Sequence, residues 1–355
     1  MFPVGQLFVA GFDGTTVPAG LAQLLRDEEL AGVILFRRNI TSVKQLMALT
    51  AQLKDVAGRP ILIAVDHEGG RVFRMPPPFT SVPPMATVGA AARCHPEGDL
   101  AYNLGALMGR ELAAVGINID FAPVLDLNTN PDNPIIGDRA FNADPKIVAE
   151  LGCRMIRGLQ DGGVIPCGKH FPGHGDTPED SHLTMPIMPA TWDRLRTFEL
   201  VPFKAAIEVR VPMLMTAHIL YHVIDPELPV TLSRRAIFTL LREELRYQGV
   251  VVTDDLQMGA IARHWPVDEA SIRALAAGCD LVLICKDLAA TKMAIASVRE
   301  AVRGGMLSEE FLEQALSRVR GLLQQSAQLP PPPSYTVIGC RSHREVVSQT
   351  GMSFA

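Results

Sequence analysis

Gly163-Val164-Ile165-Pro166-Cys167-Gly168-Lys169-His170-Phe171-Pro172-Gly173-His174-Gly175-Asp176-Thr177-Pro178-Glu179-Asp180-Ser181-His182 is the stretch whose reading decides the fold. Residues 164–168 are a short apolar run of the kind that forms a strand buried on both faces. Residues 169–182 hold one Lys, three His, two Asp and one Glu among the breakers Pro172, Gly173 and Gly175. A strand that ends in Lys169 and His170 and opens into a loop carrying His174, Asp176, Asp180 and His182 is poor material for a core. It suits chemistry on a polar ligand.

The same pattern recurs along the chain. Apolar runs at 6–10, 33–36, 61–65, 117–121, 164–168, 212–216, 249–253 and 280–285 read as strands. Helical periodicity fills most gaps, at 20–30, 42–56, 99–115, 145–161, 198–208, 233–247, 269–277 and 288–303, with a further helix at 307–325. Eight strands alternating with helices predict an α/β fold, a (β/α)8 TIM-type barrel with a single catalytic domain; a doubly wound open sheet is the alternative. Asp66 follows the third run, Lys169 and His170 end the fifth, His218 follows the sixth and Asp254 ends the seventh. The C-terminal ends of barrel strands share one face, so these groups are expected to meet there.

Composition bounds the rest. The 355 residues are 48% hydrophobic and 20% charged, enough for a large core and too apolar for general disorder. A net charge of -5 gives no electrostatic case for nucleic acid or an anionic membrane. No apolar run is long enough to span a bilayer. The start, Met1-Phe2-Pro3-Val4-Gly5-Gln6, lacks a basic region and runs into the first strand, so it reads as mature sequence. Cys94, Cys153, Cys167, Cys279, Cys285 and Cys340 form no Cys-x-x-Cys pair, which favours reduced thiols in a cytoplasmic protein. Residues 1–328 are expected to form the barrel and 329–334, rich in proline, a stiff linker. Residues 335–355 are too few to fold alone and are expected to be dispensable for catalysis.

Four motifs carry chemistry, and each has a structural reading beside the functional one. In Asp66-His67-Glu68-Gly69-Gly70-Arg71-Val72-Phe73-Arg74, a strand-end carboxylate and planar guanidinium forks suit sugar hydroxyls, or an Asp–Arg pair braces a turn. In Gly137-Asp138-Arg139-Ala140-Phe141, Arg139 binds ligand or anchors Asp138 or Asp144. In the opening stretch, His170 and His174 have i, i+4 spacing, but Pro172 and Gly173 break the helix that a zinc pair requires, so no metal is expected. His174 also suits a loop-bracing role. In Thr253-Asp254-Asp255-Leu256-Gln257-Met258, one Asp can be a nucleophile while Asp255 caps the next turn.

Taken in order, these motifs resemble family 3 glycoside hydrolases, and more narrowly their β-N-acetylglucosaminidase branch, over residues 5–325. The Asp180-Ser181-His182 ending resembles this branch rather than the family's β-glucosidases. The resemblance implies Asp254 as nucleophile, His182 as general acid/base with Asp180 as its partner, and Asp66, Arg74, Arg139, Lys169 and His170 on the N-acetylglucosamine hydroxyls. His67 stands where many relatives carry Gln. Residues 342–347 resemble the start of a second domain found in two-domain relatives.

The implied reaction is retaining hydrolysis of a non-reducing β-linked N-acetylglucosamine in muropeptides or chitin fragments, without cofactor or metal, in cell-wall recycling. Imidazole titrates near working pH and can serve both steps. An acetamido nucleophile would need an adjacent Asp-Glu pair at a strand end, and neither Asp27-Glu28 nor Asp268-Glu269 stands at one. A β-N-acetylglucosaminide phosphorylase is the alternative, because a neutral acid/base tolerates phosphate. A catalytically silent sugar-binding protein is the alternative of another class. Partner proteins are not implied. The loop 171–182 is expected to be mobile, since its glycines permit large backbone changes and its polar groups offer little to dock.

Overall fold

The computed structural model describes residues 2–94, 98–177 and 185–352. Eight parallel strands close into a barrel: β1 (Phe8–Ala10), β2 (Gly32–Leu35), β3 (Leu62–Val65), β4 (Ile119–Asp120), β5 (Ile165–Phe171), β6 (Met213–Thr216), β7 (Val250–Asp255) and β8 (Leu281–Ile284). Sequence neighbours pair throughout, and β1 closes the ring by pairing both β2 (Val9 with Gly32) and β8 (Val9 with Leu283). Almost every strand residue is buried, since the interior is filled from within and the outside is covered by helices. This is why the strands read as continuous apolar runs rather than as alternation.

All eight expected strands are present, and two differences bear on the site. Strand β5 runs on to Phe171, so Lys169 and His170 belong to the strand itself. Strand β7 likewise includes Asp254 and Asp255. Strand β4 is short, but the chain re-enters the barrel after the cis Ala122–Pro123 peptide, where Val124 bridges to Lys169. That second entry ends in Asp126, which is fully buried.

The helices start where capping chemistry allows. Ser42, Asp144, Asp287 and Ser308 each accept an amide in the first turn of the helix they open. The helix after β5 begins at Trp192, six residues earlier than the periodicity suggests, with Thr191 as its cap and a π-helical turn over Leu195–Glu199. A short parallel pair, Ile187–Met188 with Leu220–Tyr221, lies outside the barrel sheet. At the other end of the strands, buried Asp280 accepts from Val251 N (2.7 Å), Arg318 Nε (2.8 Å) and Arg242, tying the Glu309–Ala327 helix to the barrel.

Residues 329–334 carry no regular structure. The segment beyond packs on the barrel: Ile338 and Val347 join the continuous core, and the Arg341–Ser348 helix lies against the Leu100–Ala114 helix. Buried Glu111 of the latter helix accepts from Gly339 N (2.9 Å) and His343 Nδ1 (2.8 Å). Among the described residues, no helix is long and apolar enough to cross a membrane.

Candidate active site

The C-terminal ends of β3, β4, β5 and β7 deliver a buried charge cluster. Lys169 projects from β5 with its side chain 2% exposed, and its ammonium reaches Asp66 Oδ1 at 2.8 Å and Glu68 Oε1 at 2.6 Å. Burial alone would push this ammonium toward the neutral form, but Asp66 and Glu68 outweigh it and hold the charge. Glu68 in turn takes both arms of Arg139, Nε and Nη2 each at 2.8 Å. Burial would raise the Glu68 carboxyl, yet Arg139 and Lys169 keep it ionised, far below the usual carboxylate range. Arg74 stands 3.9 Å from Asp66, and its buried Nε has no hydrogen-bond partner among the described residues.

Asp120, at the end of β4, accepts from His67 N at 3.0 Å. It is fully buried, and desolvation pushes its carboxyl well above the ordinary value despite the nearby Lys169. Desolvation thus opposes the Asp120 charge, while Asp66 and Glu68 are the carboxylates in direct contact with Lys169, and Glu68 also pairs with Arg139. His67 packs on the Phe73 ring at 4.4 Å and is pushed down to about 4 by burial, so it is neutral.

Asp126 organises the histidines. Its Oδ2 accepts His170 Nδ1 at 2.7 Å, and its Oδ1 accepts His174 N at 2.7 Å. Burial would raise the Asp126 carboxyl; the His170 side outweighs it and lowers it. A carboxylate can only accept, so the His170 proton sits on Nδ1, and Nε2 lies beside Arg139 Nη2 at 3.5 Å.

The described part of the titratable loop, up to Thr177, is hydrogen-bonded to its surroundings; the rest of the segment expected to be mobile lies outside the described residues. His174 and Thr177 are buried, Asn133 Nδ2 donates to His174 O (2.9 Å), Tyr221 Oη donates to Gly173 O (2.7 Å), and Thr129 Oγ1 donates to Asp176 Oδ1 (2.9 Å). Gly175 passes so close to Leu127 that an added Cβ would stand 1.5 Å from its carbonyl oxygen. His174 is thus a bracing residue, pushed down to about 4 by burial first and by His170 second. Asp180 and His182 lie outside the described residues.

Asp254 closes the site from β7. It lines one cavity of about 150 Å³ with Asp66, Arg74, Arg139, Lys169 and His170, and Met215 and Met258 give that cavity an apolar wall. One Asp254 oxygen accepts the amide of Asp255 at 2.7 Å. Burial would raise the Asp254 carboxyl, but His218, His170, that amide and Lys169 bring it below its ordinary value. Asp255 turns away and braces the following turn, accepting from Gln257 N (3.0 Å) and Cys285 N (3.1 Å).

All the predicted residues in the described range therefore meet in one cavity: Asp66, Arg74, Arg139, Lys169, His170 and Asp254. Sequence reasoning did not single out Glu68, Asp120 or Asp126. Glu68 stood inside a quoted motif, and Asp126 ends an apolar Val124-Leu125 step that Pro123 concealed. Among the described residues, no group of three or more His, Cys, Asp and Glu side chains is set to hold a metal ion.

Known proteins share this architecture. The family model for the glycosyl hydrolase family 3 N-terminal domain matches residues 4–322, and the chain belongs to that family. A β-hexosaminidase of Alkalilimnicola ehrlichii is 43% identical over 277 residues, covering 78% of this chain and 79% of the relative. One from Nitrosospira multiformis is 40% identical over 293 residues, covering 82% and 83%. The structure of a family 3 β-N-acetylglucosaminidase from Paenibacillus superposes with a TM-score of 0.92 at 40% identity, over 98% of this chain and 67% of that one. The Neisseria gonorrhoeae structure of NagZ in complex with N-trifluoroacetyl-D-glucosamine superposes with a TM-score of 0.78 at 30% identity, over 97% of both chains.

Proposed function

We propose that this β-N-acetylhexosaminidase removes non-reducing β-linked N-acetylglucosamine with retention, using Asp254 as nucleophile and His182, paired with Asp180, as acid/base. The observation that carries this reading is Asp254 itself: an ionised carboxylate on the same small cavity as Lys169, Arg74, Arg139 and His170. In the first step Asp254 attacks the anomeric carbon, the glycosidic bond breaks, and His182 gives its proton to the leaving oxygen. In the second, His182 takes a proton from water, which displaces Asp254 and restores the carboxylate.

The free hydrogen-bonding capacity of the cavity suits a sugar. Arg74, whose Nε has no hydrogen-bond partner among the described residues, supplies a donor, Asp66 accepts, and His170 presents the ring edge left over from Asp126. Met215 and Met258 suit the acetamido methyl. Muropeptides or chitin fragments are the substrates proposed, with cell-wall recycling in the cytoplasm as the setting.

Initial rates on aryl β-N-acetylglucosaminide and aryl β-glucoside test the substrate; comparable rates on the two would overturn it. A 5-fluoro N-acetylglucosaminyl probe should label Asp254 and not Asp255. Asp254→Asn should lower kcat by on the order of 10³-fold or more while ligand binding stays measurable. Acceleration by inorganic phosphate, with sugar phosphate as product, would instead identify a phosphorylase.

A further inference from the structure

We propose that His218 is a positioning residue for the nucleophile: its imidazolium locks the Asp254–Asp255 turn and holds Asp254 ionised. The inference rests on the assignment of Asp254 above. His218 follows β6 and is 1% exposed; Thr216 and Thr231 beside it are 0% exposed. His218 Nε2 lies 3.0 Å from Asp255 O. A carbonyl oxygen only accepts, so Nε2 carries a proton.

The other ring nitrogen, Nδ1, lies 2.7 Å from Thr231 Oγ1. That hydroxyl has a single proton and, among the described residues, three hydrogen-bonding neighbours: Ala217 O at 3.0 Å, Thr216 Oγ1 at 2.8 Å and the imidazole. Ala217 O also only accepts. If Thr231 donates to it, the hydroxyl oxygen is left to accept from Thr216 and from a protonated Nδ1. Every contact is then a donor–acceptor pair, and both ring nitrogens carry hydrogen. A neutral ring would take the Thr231 proton and leave the Ala217 contact without one.

The result is a positive ring fixed to the peptide that follows the nucleophile. The Asp255 amide donates to Asp254 at 2.7 Å, and the Asp255 carbonyl is held by His218, so one residue couples the two side chains. Among the groups acting on the Asp254 carboxyl, His218 is the largest that opposes burial, ahead of His170 and Lys169. The other titratable or charged groups near this turn are Asp255, whose carboxyl is turned to Gln257 N and Cys285 N, and His170, Lys169 and Asp66 across the cavity. His218 is outside the cavity lining, which separates this role from sugar binding.

His218→Gln keeps an amide donor for the Asp255 carbonyl and removes the charge; His218→Ala removes both. The full chain is used, with aryl N-acetylglucosaminide as substrate and thermal melting as a control for folding. For His218→Gln we expect kcat to fall at least tenfold with KM little changed, and the acidic limb of the kcat/KM profile to move to higher pH. Fluoro-sugar labelling of Asp254 should slow in proportion. His218→Ala should lose more. Unchanged kcat, or a fall in kcat with an unmoved acidic limb, would overturn the inference. Absence of label at Asp254 in the unaltered protein would overturn the nucleophile assignment instead.

Discussion

Asp126 and Glu111 are two buried carboxylates that use the same device in different places. Asp126 collects the His170 ring and the amides of His170 and His174. Glu111 collects the His343 ring, the amide and hydroxyl of Thr80, and the amide of Gly339. In both, burial pushes the carboxyl up and the donors bring it below its ordinary value. The first histidine lines the cavity; the second stitches the C-terminal segment to a barrel helix. A buried Asp/Glu–His pair is therefore no signature of catalysis. What separates the two is whether the second ring nitrogen has a ligand cavity to face.

Asp126→Asn would break the comparison most sharply. An amide cannot accept from two amides and an imidazole with both ends, so one His170 contact is lost and the Nδ1 proton is no longer fixed. We expect kcat/KM to fall by about 10²-fold, with KM rising as well, because His170 shifts relative to the sugar. Steady-state kinetics beside a melting curve measure it. If stability falls and activity per folded molecule does not, Asp126 is a structural hub like Glu111.

Deleting residues 329–355 should have the next largest effect, on stability rather than chemistry. Glu111 would lose Gly339 N and the His343 ring and keep only the amide and hydroxyl of Thr80. Stripping partners from a buried carboxylate costs about 2–4 kcal/mol. Denaturant unfolding should show that loss, and the same deletion in a Glu111→Gln background should cost less, since no orphaned charge is created. Equal costs in both backgrounds would trace the loss to Ile338 and Val347 in the core instead.

How far the sequence could anticipate these two hubs differs, for physical reasons. Barrel strands are short, apolar and bounded by polar ends, so their number, order and terminal Asp66, Lys169, His170 and Asp254 were legible. Arg139 was legible as a site residue but not its bidentate hold on Glu68, which joins groups 71 residues apart. Asp126 was hidden because a proline normally ends a strand, while here Val124 resumes the barrel contact after Pro123. The titratable loop suggested mobility from composition alone. Composition does not reveal that Asn133, Tyr221, Thr129 and Asp126 each supply a partner to it. The packing of the tail was hidden for the same reason: its apolar content is small, and Glu111, which holds it, sits 232 residues from His343 on an ordinary helix.

The smallest expected effect is on the pH dependence of stability, where the two hubs act together and Asp120 acts against them. Asp126 and Glu111 have carboxyls lowered in the folded chain. Their stabilisation is present above the unfolded carboxylate value of about 4 and is lost as pH falls through the folded values. Acidification should therefore unfold the protein with proton uptake, and Glu111→Gln should flatten that limb by about 1.4 kcal/mol for each unit of pKa shift removed. Asp120 has the opposite sign. Its folded carboxyl is raised well above the ordinary value, so the unfolded chain ionises first. Stability is then lost as pH rises from about 4 toward the folded value. Asp120→Asn keeps an acceptor for His67 N and removes the titration. It should leave the acid limb intact and flatten the decline on the neutral side, as read from denaturant midpoints between pH 4 and pH 9 on that scale. Asp255 and Glu199, whose carboxyls are also raised, contribute a decline of the same sign, so the test is the slope relative to the parent. An Asp120→Asn protein that declines as steeply would mean that Asp120 does not titrate in this range, as a carboxylate already ionised at about pH 4 would not. Lys169 would then face three carboxylate charges rather than two.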